Sequence, residues 1–380
     1  MENLLVEPTP EKLTLDQLKK SLSGLMDVVS IRVLSDGANP TVEFAGFVQG
    51  SDVDFTFDEI LARFEVLGYT PVLTRDGDQH LLKAFPMVIE KRTGKPWVNA
   101  LLFVLTLFSV LFIGALNAGA SPLDDFSNIW VGLPFAATLL GILTAHELSH
   151  YFVGRRYGSP VSLPYFIPLP LSLLGTMGAV IVQRGPMRSR KALFDIGAAG
   201  PLGGLIVAVP LLIVGLFLSE VQPLPVDQSY YMEGNSLFYF LAKLLIFGQA
   251  LPSGNVDVFL HPIAFAAWAG LMITALNLFP VGQFDGGHIT YAMWGQNAWK
   301  VARVFVFLMY AWGLFLNFSG NDAGWTWVIW GFFGLLMGPK HPAPLNDLTT
   351  LDPHRKLLGW IMVGIFVLIL VPIPLVVVNI

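Results

Sequence analysis

The chain changes character near residue 97, where short amphipathic runs give way to long apolar ones. From there on, seven apolar runs each approach the ~20 residues that a helix needs to cross a bilayer. They cover residues 97–118, 130–153, 192–218, 260–280, 301–318, 323–339 and 357–378. Basic clusters between the runs alternate with acidic loops, and the positive-inside rule then places the N-terminal part in the cytoplasm. The pattern predicts a polytopic α-helical membrane protein with about seven spans.

Residues 1–90 predict a small soluble α+β domain with the order α-β-β-α-β-β. In two similar halves a threonine, Thr14 or Thr56, is followed three residues later by Gln or Glu, which is the reciprocal cap of a helix start. Two β-rich runs follow each helix, with turns predicted at Asp36-Gly37 and Asp76-Gly77. We expect a folded cap or a dimerisation unit that could pair two copies into a homodimer. Sensing or substrate recruitment is the alternative.

The apolar stretch at residues 160–183 departs from the helical pattern. Four prolines interrupt it, together with Gly175 and Gly178. Irregular backbone at membrane depth must be buried in protein or line a wet cavity. We therefore expect a re-entrant loop or a short β-hairpin here, and an interfacial helix at residues 236–247.

Composition narrows the class of protein. Of the 380 residues, 54% are hydrophobic and 13% are charged, and the net charge is −5. An ordinary soluble protein carries about 25% charged residues, so the low charge supports a membrane protein. The negative balance gives no case for nucleic acid. The absence of cysteine excludes thiolate metal ligands, disulfides and a cysteine nucleophile.

The motif His146-Glu147-Leu148-Ser149-His150 lies inside the second apolar run. On a helix, residues four apart share a face, so both imidazoles would point the same way as two ligands of a zinc ion. Glu147 would lie beside them, able to take a proton from a zinc-bound water. Ionisable groups at lipid depth are costly and by default functional, which indicates hydrolysis within the membrane.

A catalytic zinc site needs three protein ligands and an open position for water. Asp285 is the best third ligand, because the count of spans places it near the cytoplasmic face, at the depth of His150. Gly286 and Gly287 would let the backbone approach closely. A helix cap is the other reading of Asp285, and both can be true. Asp195 is the rival ligand, although its basic neighbours favour a salt bridge or a helix cap.

At this point the chain resembles the site-2 proteases, peptidase family M50, which are intramembrane zinc metalloproteases. The resemblance rests on His146-Glu147-Leu148-Ser149-His150 and on Asn277-x-x-Pro280-x-x-x-x-Asp285-Gly286, which lie in the expected order on separate spans. It covers about residues 97–340. A PDZ domain, frequent in the family, has no room here, and a soluble N-terminal domain is present instead. In that respect the chain is similar to the EGY-type proteases of chloroplasts and their bacterial relatives.

The resemblance implies a role for each matching position. His146, His150 and Asp285 would bind one Zn²⁺ per chain. Glu147 would be the general base towards the attacking water and then the general acid towards the leaving amine. Asn277 would contact the substrate backbone or help to hold the oxyanion, although it could instead cap its span. The segment Gly175-Thr176-Met177-Gly178 would present a strand edge to an unwound substrate.

These expectations give a domain plan and a function. The plan is a soluble domain at 1–90, a linker at 91–96, a protease core at 97–340, and a cytoplasmic loop with a last span at 341–380. The function is a zinc metalloendopeptidase in the lipid bilayer that cleaves a transmembrane protein substrate, in regulated intramembrane proteolysis or in clearance of membrane peptides. Without a signal or transit peptide we expect a multi-pass protein of a bacterial plasma membrane.

Two rival functions and three structural readings stay open. A transporter would use Glu147 and Asp285 as ion sites, but the spans show no internal symmetry of the kind common in transporters. A catalytically inactive binder would not need Glu147. His288 could support the metal site, although a packing role is the simpler reading. The small residues of Gly197–Gly204 are spaced for close helix packing. The remaining histidines are expected to be ordinary.

Overall fold

The computed structural model of the chain describes residues 10–35, 39–88, 94–225, 229–338 and 340–378. The chain divides into two compact units. Unit 1 contains residues 1–92, 184–193 and 342–351, and unit 2 contains residues 93–183, 194–341 and 352–380. The turn predicted at Asp36-Gly37 lies outside the described residues.

Unit 1 is built on a four-stranded antiparallel sheet with the strand order β1-β2-β4-β3. Its elements are α1 (Pro10–Ser21), β1 (Met26–Val33), β2 (Val42–Val48), α2 (Val53–Val66), β3 (Thr70–Asp76) and β4 (Gln79–Phe85). This is the α-β-β-α-β-β order that the sequence pattern predicts. Leu22, Phe44, Phe57, Phe64 and Tyr69 lie in its core, each almost fully buried.

The helix starts predicted at Thr14 and Thr56 are wrong by about one turn. Helix α1 begins at Pro10 and helix α2 at Val53, so both threonines lie inside their helices. The cap of α2 is Asp52, whose carboxylate accepts hydrogen bonds from two backbone N–H groups of the first turn. A carboxylate at this position also interacts favourably with the helix dipole.

Two internal segments complete unit 1. The backbone of Leu73 in β3 exchanges hydrogen bonds with Leu345 and Asp347. The segment at 342–351 in turn donates from Leu345 and Asn346 to the carbonyls of Met187 and Arg188. Leu345 joins the apolar core of the unit. The N-terminal sheet is thus extended by chain that the sequence pattern assigned to loops of the membrane part.

Ion pairs add to this arrangement. Arg188 pairs with Asp58 at 2.6 Å, Arg190 with Asp347 at 2.7 Å and Lys191 with Asp54 at 2.7 Å. The Arg190–Asp347 pair is the most buried, with side-chain exposures of 18% and 10%. Exposed pairs stabilise a fold by less than about 1 kcal/mol, so the inserted segments depend mainly on the backbone bonds and on Leu345.

Unit 2 is mainly helical. Its elements are α3 (Pro96–Asn117), a 3₁₀ turn (Phe126–Gly132), α4 (Leu133–Arg156), β5 (Tyr165–Pro168), β6 (Thr176–Val180), α5 (Arg190–Phe217), whose first residues belong to unit 1, β7 (Glu220–Pro223), β8 (Tyr230–Glu233), α6 (Leu237–Phe247), β9 (Val256–Phe259), α7 (Pro262–Asn277), α8 (Asp285–Trp294), a second 3₁₀ turn (Gly295–Asn297), α9 (Ala298–Phe318), α10 (Gly324–Leu336), α11 (Pro353–Ile369) and β10 (Leu375–Val378). Short two-stranded sheets join β5 to β6, β7 to β9 and β8 to β10.

Four helical stretches in the described part of the chain are long and apolar enough to cross a membrane. They cover Pro96–Asn117, Phe126–Arg156, Arg190–Phe217 and Asp285–Phe318. The other three predicted spans fall on shorter helices, namely α7 with 16 residues, α10 with 13 and α11 with 17. The structure therefore has four helices of spanning length, and the count of seven spans stays a prediction.

The proline-rich stretch forms an antiparallel hairpin of β5 and β6. Tyr165 pairs with Val180, and Phe166 pairs with Ala179. Gly175 and Gly178 have φ angles of 73° and 101°, which an L side chain rarely adopts. Of the two alternatives expected for this stretch, a re-entrant loop or a short β-hairpin, the hairpin is thus confirmed, and its glycines provide the bends.

Removing the Asn346 side chain tests whether the inserted segments stabilise unit 1. This side chain is fully buried, and its amide donates to Asp54 at 2.9 Å. In Asn346→Ala the loss of a buried hydrogen bond should lower the stability of unit 1 by about 1–3 kcal/mol. Faster amide hydrogen exchange in β3 and β4 would report the loss. The control Gln49→Ala removes an exposed hydrogen bond to Asp27 and should change exchange little. Equal exchange in both variants would contradict a stabilising role.

Candidate active site

Helix α4 carries two histidines and a glutamate in its C-terminal half. Pro134 in its first turn lacks an N–H that would be left unpaired there, and the apolar sequence that follows favours a buried helix. His146, Glu147 and His150 are 3%, 4% and 4% exposed. Because His146 and His150 are one turn apart, their rings lie on the same face, with ring centroids 4.9 Å apart. The helix therefore directs two imidazole nitrogens to one point.

Asp285 meets these two rings from the first turn of α8. Its carboxylate oxygens lie 3.1 Å from His146 Nε2 and 3.2 Å from His150 Nε2. The turn before α8 is tight: a β-carbon at Gly286 would collide with the Leu278 carbonyl, and one at Gly287 with the Gly282 carbonyl. The two glycines therefore permit the close backbone approach that the sequence pattern predicts.

The three side chains fit a metal ion. The Nε2 atoms of His146 and His150 are 3.2 Å apart, and each lies 3.1–3.2 Å from a different carboxylate oxygen of Asp285. Ligand atoms about 2.0–2.1 Å from a tetrahedral zinc are separated by about 3.3 Å. In the part of the chain that the structure describes, no other set of three His, Asp or Glu side chains converges in this way.

The hydrogen bond of His150 Nδ1, the ring nitrogen that faces away from the cluster, also supports metal binding. Its Nδ1 lies 2.7 Å from the carbonyl oxygen of Ile196 in α5, so the ring donates its proton there. Nε2 then carries a lone pair and faces a carboxylate, which a cation between them would satisfy. Metal-binding histidines commonly hold their second nitrogen in this manner.

Four glycines of α5 lie directly against α4 and α8, the helices that carry the two histidines and Asp285. We define the glycine face of α5 as Gly197, Gly200, Gly203 and Gly204. A β-carbon at Gly200 would collide with the His150 ring, and one at Gly203 with Ser149. Gly197 faces His288 in α8, and Gly204 faces the His146 ring. The small residues that predicted close helix packing thus form the surface against which the rings of His146 and His150 pack.

Glu147 and Asn277 adjoin the cluster. The backbone N–H of Ile181, just after β6, donates to the Glu147 carboxylate. Asn277 is the last residue of α7, and its Nδ2 lies 3.3 Å from His146 Nε2. Its side chain therefore points towards the His146 ring.

The hairpin residues contribute in different ways. The Thr176 side chain is 4% exposed, and its hydroxyl donates to the Ile167 carbonyl and accepts from the Gly178 N–H. The Met177 side chain is 65% exposed. Within the described chain β6 pairs with β5 alone, so its second edge is not taken by another strand. The backbone of β6 and the Met177 side chain are thus the parts that another peptide could contact.

Asp195 lies outside the cluster, engaged by a different group. Its carboxylate accepts hydrogen bonds from Arg355 at 2.6 and 2.8 Å and from the Tyr157 hydroxyl at 2.5 Å. Burial and the Asp195 carboxylate raise the pKa of the Tyr157 phenol. Asp195 thus forms the predicted kind of salt bridge, but its partner is Arg355, which lies 160 positions away in the sequence.

His341 is the residue that sequence reasoning missed. We expected an ordinary loop histidine, but its Nε2 lies 2.6 Å from His288 Nδ1 and it is 5% exposed. His288 stands one turn beyond Asp285 in α8. Its hydrogen bond to His341 is consistent with the packing role that the sequence favoured over support of the metal site. A single histidine in a loop carries no periodic signal, so only the folded chain reveals this pair.

Comparison with known proteins identifies similar chains. The sequence profile described as Peptidase family M50 matches residues 134–316. The chain is 31% identical over 321 residues to the probable zinc metalloprotease EGY2, chloroplastic, of Arabidopsis thaliana, covering 78% of this chain and 56% of that protein. It is 33% identical over 247 residues to EGY1 of the same plant, covering 63% and 43%. The chain thus spans about half the length of these relatives. No solved structure matches it.

Filling the space at Gly200 tests the role of the glycine face. In Gly200→Ala the new β-carbon would displace the His150 ring, so the protein should lose most of its bound divalent metal. Elemental analysis of the detergent-purified protein measures the metal content. The matched control is Gly141→Ala on helix α4, where a β-carbon meets open space. Full metal retention in Gly200→Ala would show that the ring does not need this contact.

Proposed function

Because the chain belongs to peptidase family M50, the site-2 protease family, through its domain at residues 134–316, we propose that it is an intramembrane zinc metalloprotease. It would hydrolyse a peptide bond within or next to a transmembrane segment of another protein. The observation that carries the proposal is the convergence of His146, His150 and Asp285 beside Glu147 on apolar helices. The described relatives are named zinc metalloproteases, which supports zinc as the metal.

His146, His150 and Asp285 would hold one zinc ion. When bound, zinc lowers the pKa of a water ligand to about 7 and polarises a carbonyl oxygen. Two neutral imidazoles and one carboxylate leave a net positive site, which favours a developing negative charge. Three protein ligands also leave a coordination position open, as catalytic sites require.

Glu147 would move the proton. Its carboxylate lies beside the ligand cluster and is held by the Ile181 N–H, which leaves an oxygen free to accept a proton from the attacking water. The same carboxyl group would then donate that proton to the leaving amine. The Asn277 amide, which faces His146, would donate a hydrogen bond to the substrate carbonyl as negative charge develops on its oxygen.

The substrate would bind as an added strand. The carbonyl of a helical peptide bond is already hydrogen-bonded and shielded, so a transmembrane substrate must unwind locally before cleavage. The unpaired edge of β6 can satisfy the freed backbone groups of that segment, in the manner of strand addition. Because Ile181 follows β6 and bonds to Glu147, a peptide on this edge would be led towards the proton acceptor. Gly175, Thr176, Met177 and Gly178 are the proposed contacts.

The four helices of spanning length support a membrane-embedded protein. The number of spans and their orientation are part of the proposal. We propose seven spans, a soluble domain at 1–90, a linker at 91–96, a protease core at 97–340 and a last span within 341–380. The distribution of basic residues favours a cytoplasmic N-terminal domain, in which two copies could pair. A bacterial plasma membrane and a regulatory or clearance role complete the proposal.

Replacing Glu147 separates metal binding from proton transfer. Glu147→Gln should keep about one zinc per chain, because the residue is not among the ligands. Cleavage of a model transmembrane substrate should fall by about 10²–10⁴-fold, since the amide cannot accept the proton. Elemental analysis and gel-based cleavage in detergent measure both. Full cleavage by this variant would remove the base assignment, and metal flux into liposomes without proteolysis would favour the transporter.

Replacing Asp285 tests the third ligand. In Asp285→Ala the site loses one of three protein ligands, so zinc content should fall well below the wild-type value. The matched control is Asp195→Asn, which removes a charge of the same kind from the Arg355 pair and should leave zinc content unchanged. If the two variants exchanged these results, Asp195 would be the ligand and the proposed site would be wrong.

A further inference from the structure

The β5–β6 hairpin is held along its length by polar side chains of helix α3. Near the start of α3, the Asn99 amide donates to the carbonyls of Leu163 and Pro164 at 3.0 and 2.9 Å. Near its end, the Asn117 amide donates to the Leu173 carbonyl at 3.1 Å. From Asn99 to Asn117 the helix rises about 27 Å, close to the thickness of the hydrocarbon core. The hairpin and α3 are thus joined at two well-separated levels.

A third contact lies at the end of the hairpin loop. The Ser109 hydroxyl donates to the Gly175 carbonyl at 2.6 Å. A β-carbon built on Gly175 would lie 2.8 Å from the Ser109 carbonyl oxygen, so this glycine allows the two backbones to touch. Between the polar contacts, the Phe103 and Phe166 rings meet edge to face at 5.0 Å. The hairpin follows one side of α3 from end to end.

These contacts give hydrogen-bond partners to backbone carbonyls that would otherwise be unpaired at membrane depth. Carbonyls of irregular backbone at membrane depth have no water to bond and cost several kcal/mol when unpaired. Polar side chains in a helix that faces lipid are themselves costly, unless they bond to such groups. Asn99 and Ser109 are 7% and 8% exposed, so each lies in the interface with the hairpin. The polar residues of α3 and the carbonyls of the hairpin satisfy one another.

We propose that the polar face of α3, defined as Asn99, Ser109 and Asn117, positions the hairpin so that the edge of β6 leads a substrate strand to Glu147. This inference rests on the proposed function, because it assigns a role in substrate binding to residues remote from the metal. The three are positioning residues: they touch neither the ligand cluster nor Glu147 and act through the hairpin. Their loss should weaken substrate binding and leave the metal in place.

Thr106 supplies a matched control on the same helix. It is buried in α3, as Asn99 and Ser109 are, but its hydroxyl has no hydrogen-bond partner among the described residues. Thr106→Val keeps the shape of the side chain and removes only that hydroxyl. Any effect of a changed polar residue on helix insertion or packing should therefore appear in Thr106→Val as well.

The first measurement does not depend on catalysis. Amide hydrogen exchange of the full chain in detergent should accelerate at residues 163–182 in Ser109→Ala and Asn99→Leu. One lost hydrogen bond of about 1 kcal/mol corresponds to about a fivefold change. Exchange in α9 and α10 should stay at the wild-type rate, and Thr106→Val should match wild type throughout. Unchanged exchange at 163–182 in both variants would overturn the positioning role.

The second measurement uses cleavage of a transmembrane substrate. Each positioning variant should raise KM about fivefold, with kcat within about twofold and zinc content at the wild-type level. A fall in kcat or in zinc content with KM unchanged would mean that α3 supports the metal site instead, which contradicts the proposal. If the wild-type chain cleaves no transmembrane substrate, the proposed function fails, while the exchange result still decides whether α3 holds the hairpin.

Discussion

Two imidazoles and a carboxylate lie within hydrogen-bonding distance of one another inside apolar helices, and much of unit 2 is arranged to allow this. The Nε2 atoms of His146 and His150 lie 3.2 Å apart, and each lies 3.1–3.2 Å from one of the two carboxylate oxygens of Asp285. Charged and polar groups buried without partners destabilise a fold, so the cluster needs a cation or compensating hydrogen bonds. The close approach requires α4, α5 and α8 to pack without intervening side chains. The glycine face of α5 and the Gly286-Gly287 turn meet that requirement.

The same constraint on polar groups governs the hairpin. A transmembrane helix bonds its own backbone, whereas β5 and β6 leave carbonyls at their ends and loop that need donors. Asn99, Ser109 and Asn117 supply them, so α3 is both a membrane helix and the support of an irregular element. One end of the hairpin reaches the ligand helix through the bond from Ile181 to Glu147. The edge proposed to contact the substrate and the carboxylate proposed to transfer the proton are in this way parts of one continuous piece of structure.

Unit 1 is not a simple N-terminal appendage. Residues 184–193 and 342–351 belong to it, and the first of these segments continues directly into α5. The second follows His341, which bonds to His288 in α8. Arg188, Arg190 and Lys191, which form one of the basic clusters between the apolar runs, are bound to carboxylates of this unit. Their positive charge therefore has a structural use in addition to any effect on membrane topology.

Local pattern was sufficient for the elements and for the chemistry of the motifs. The alternation of helices and strands in residues 10–85, the hairpin, and the four longest apolar helices follow from periodicity, glycine and proline positions, and length. The histidine pair on α4 follows from the spacing of four residues on a helix. These features depend on neighbours in sequence, which is why they can be read without the fold.

The sequence does not identify which residues distant from one another along the chain come into contact; only the folded chain does. The count of spans and the basic neighbours of Asp195 favoured Asp285 as the ligand, but only the folded chain brings Asp285 to the two histidines and pairs Asp195 with the distant Arg355. The polar face of α3, the His288–His341 pair and the insertion of 342–351 into unit 1 join residues distant in sequence. Such contacts arise from packing in three dimensions, for which the chain carries no periodic signal.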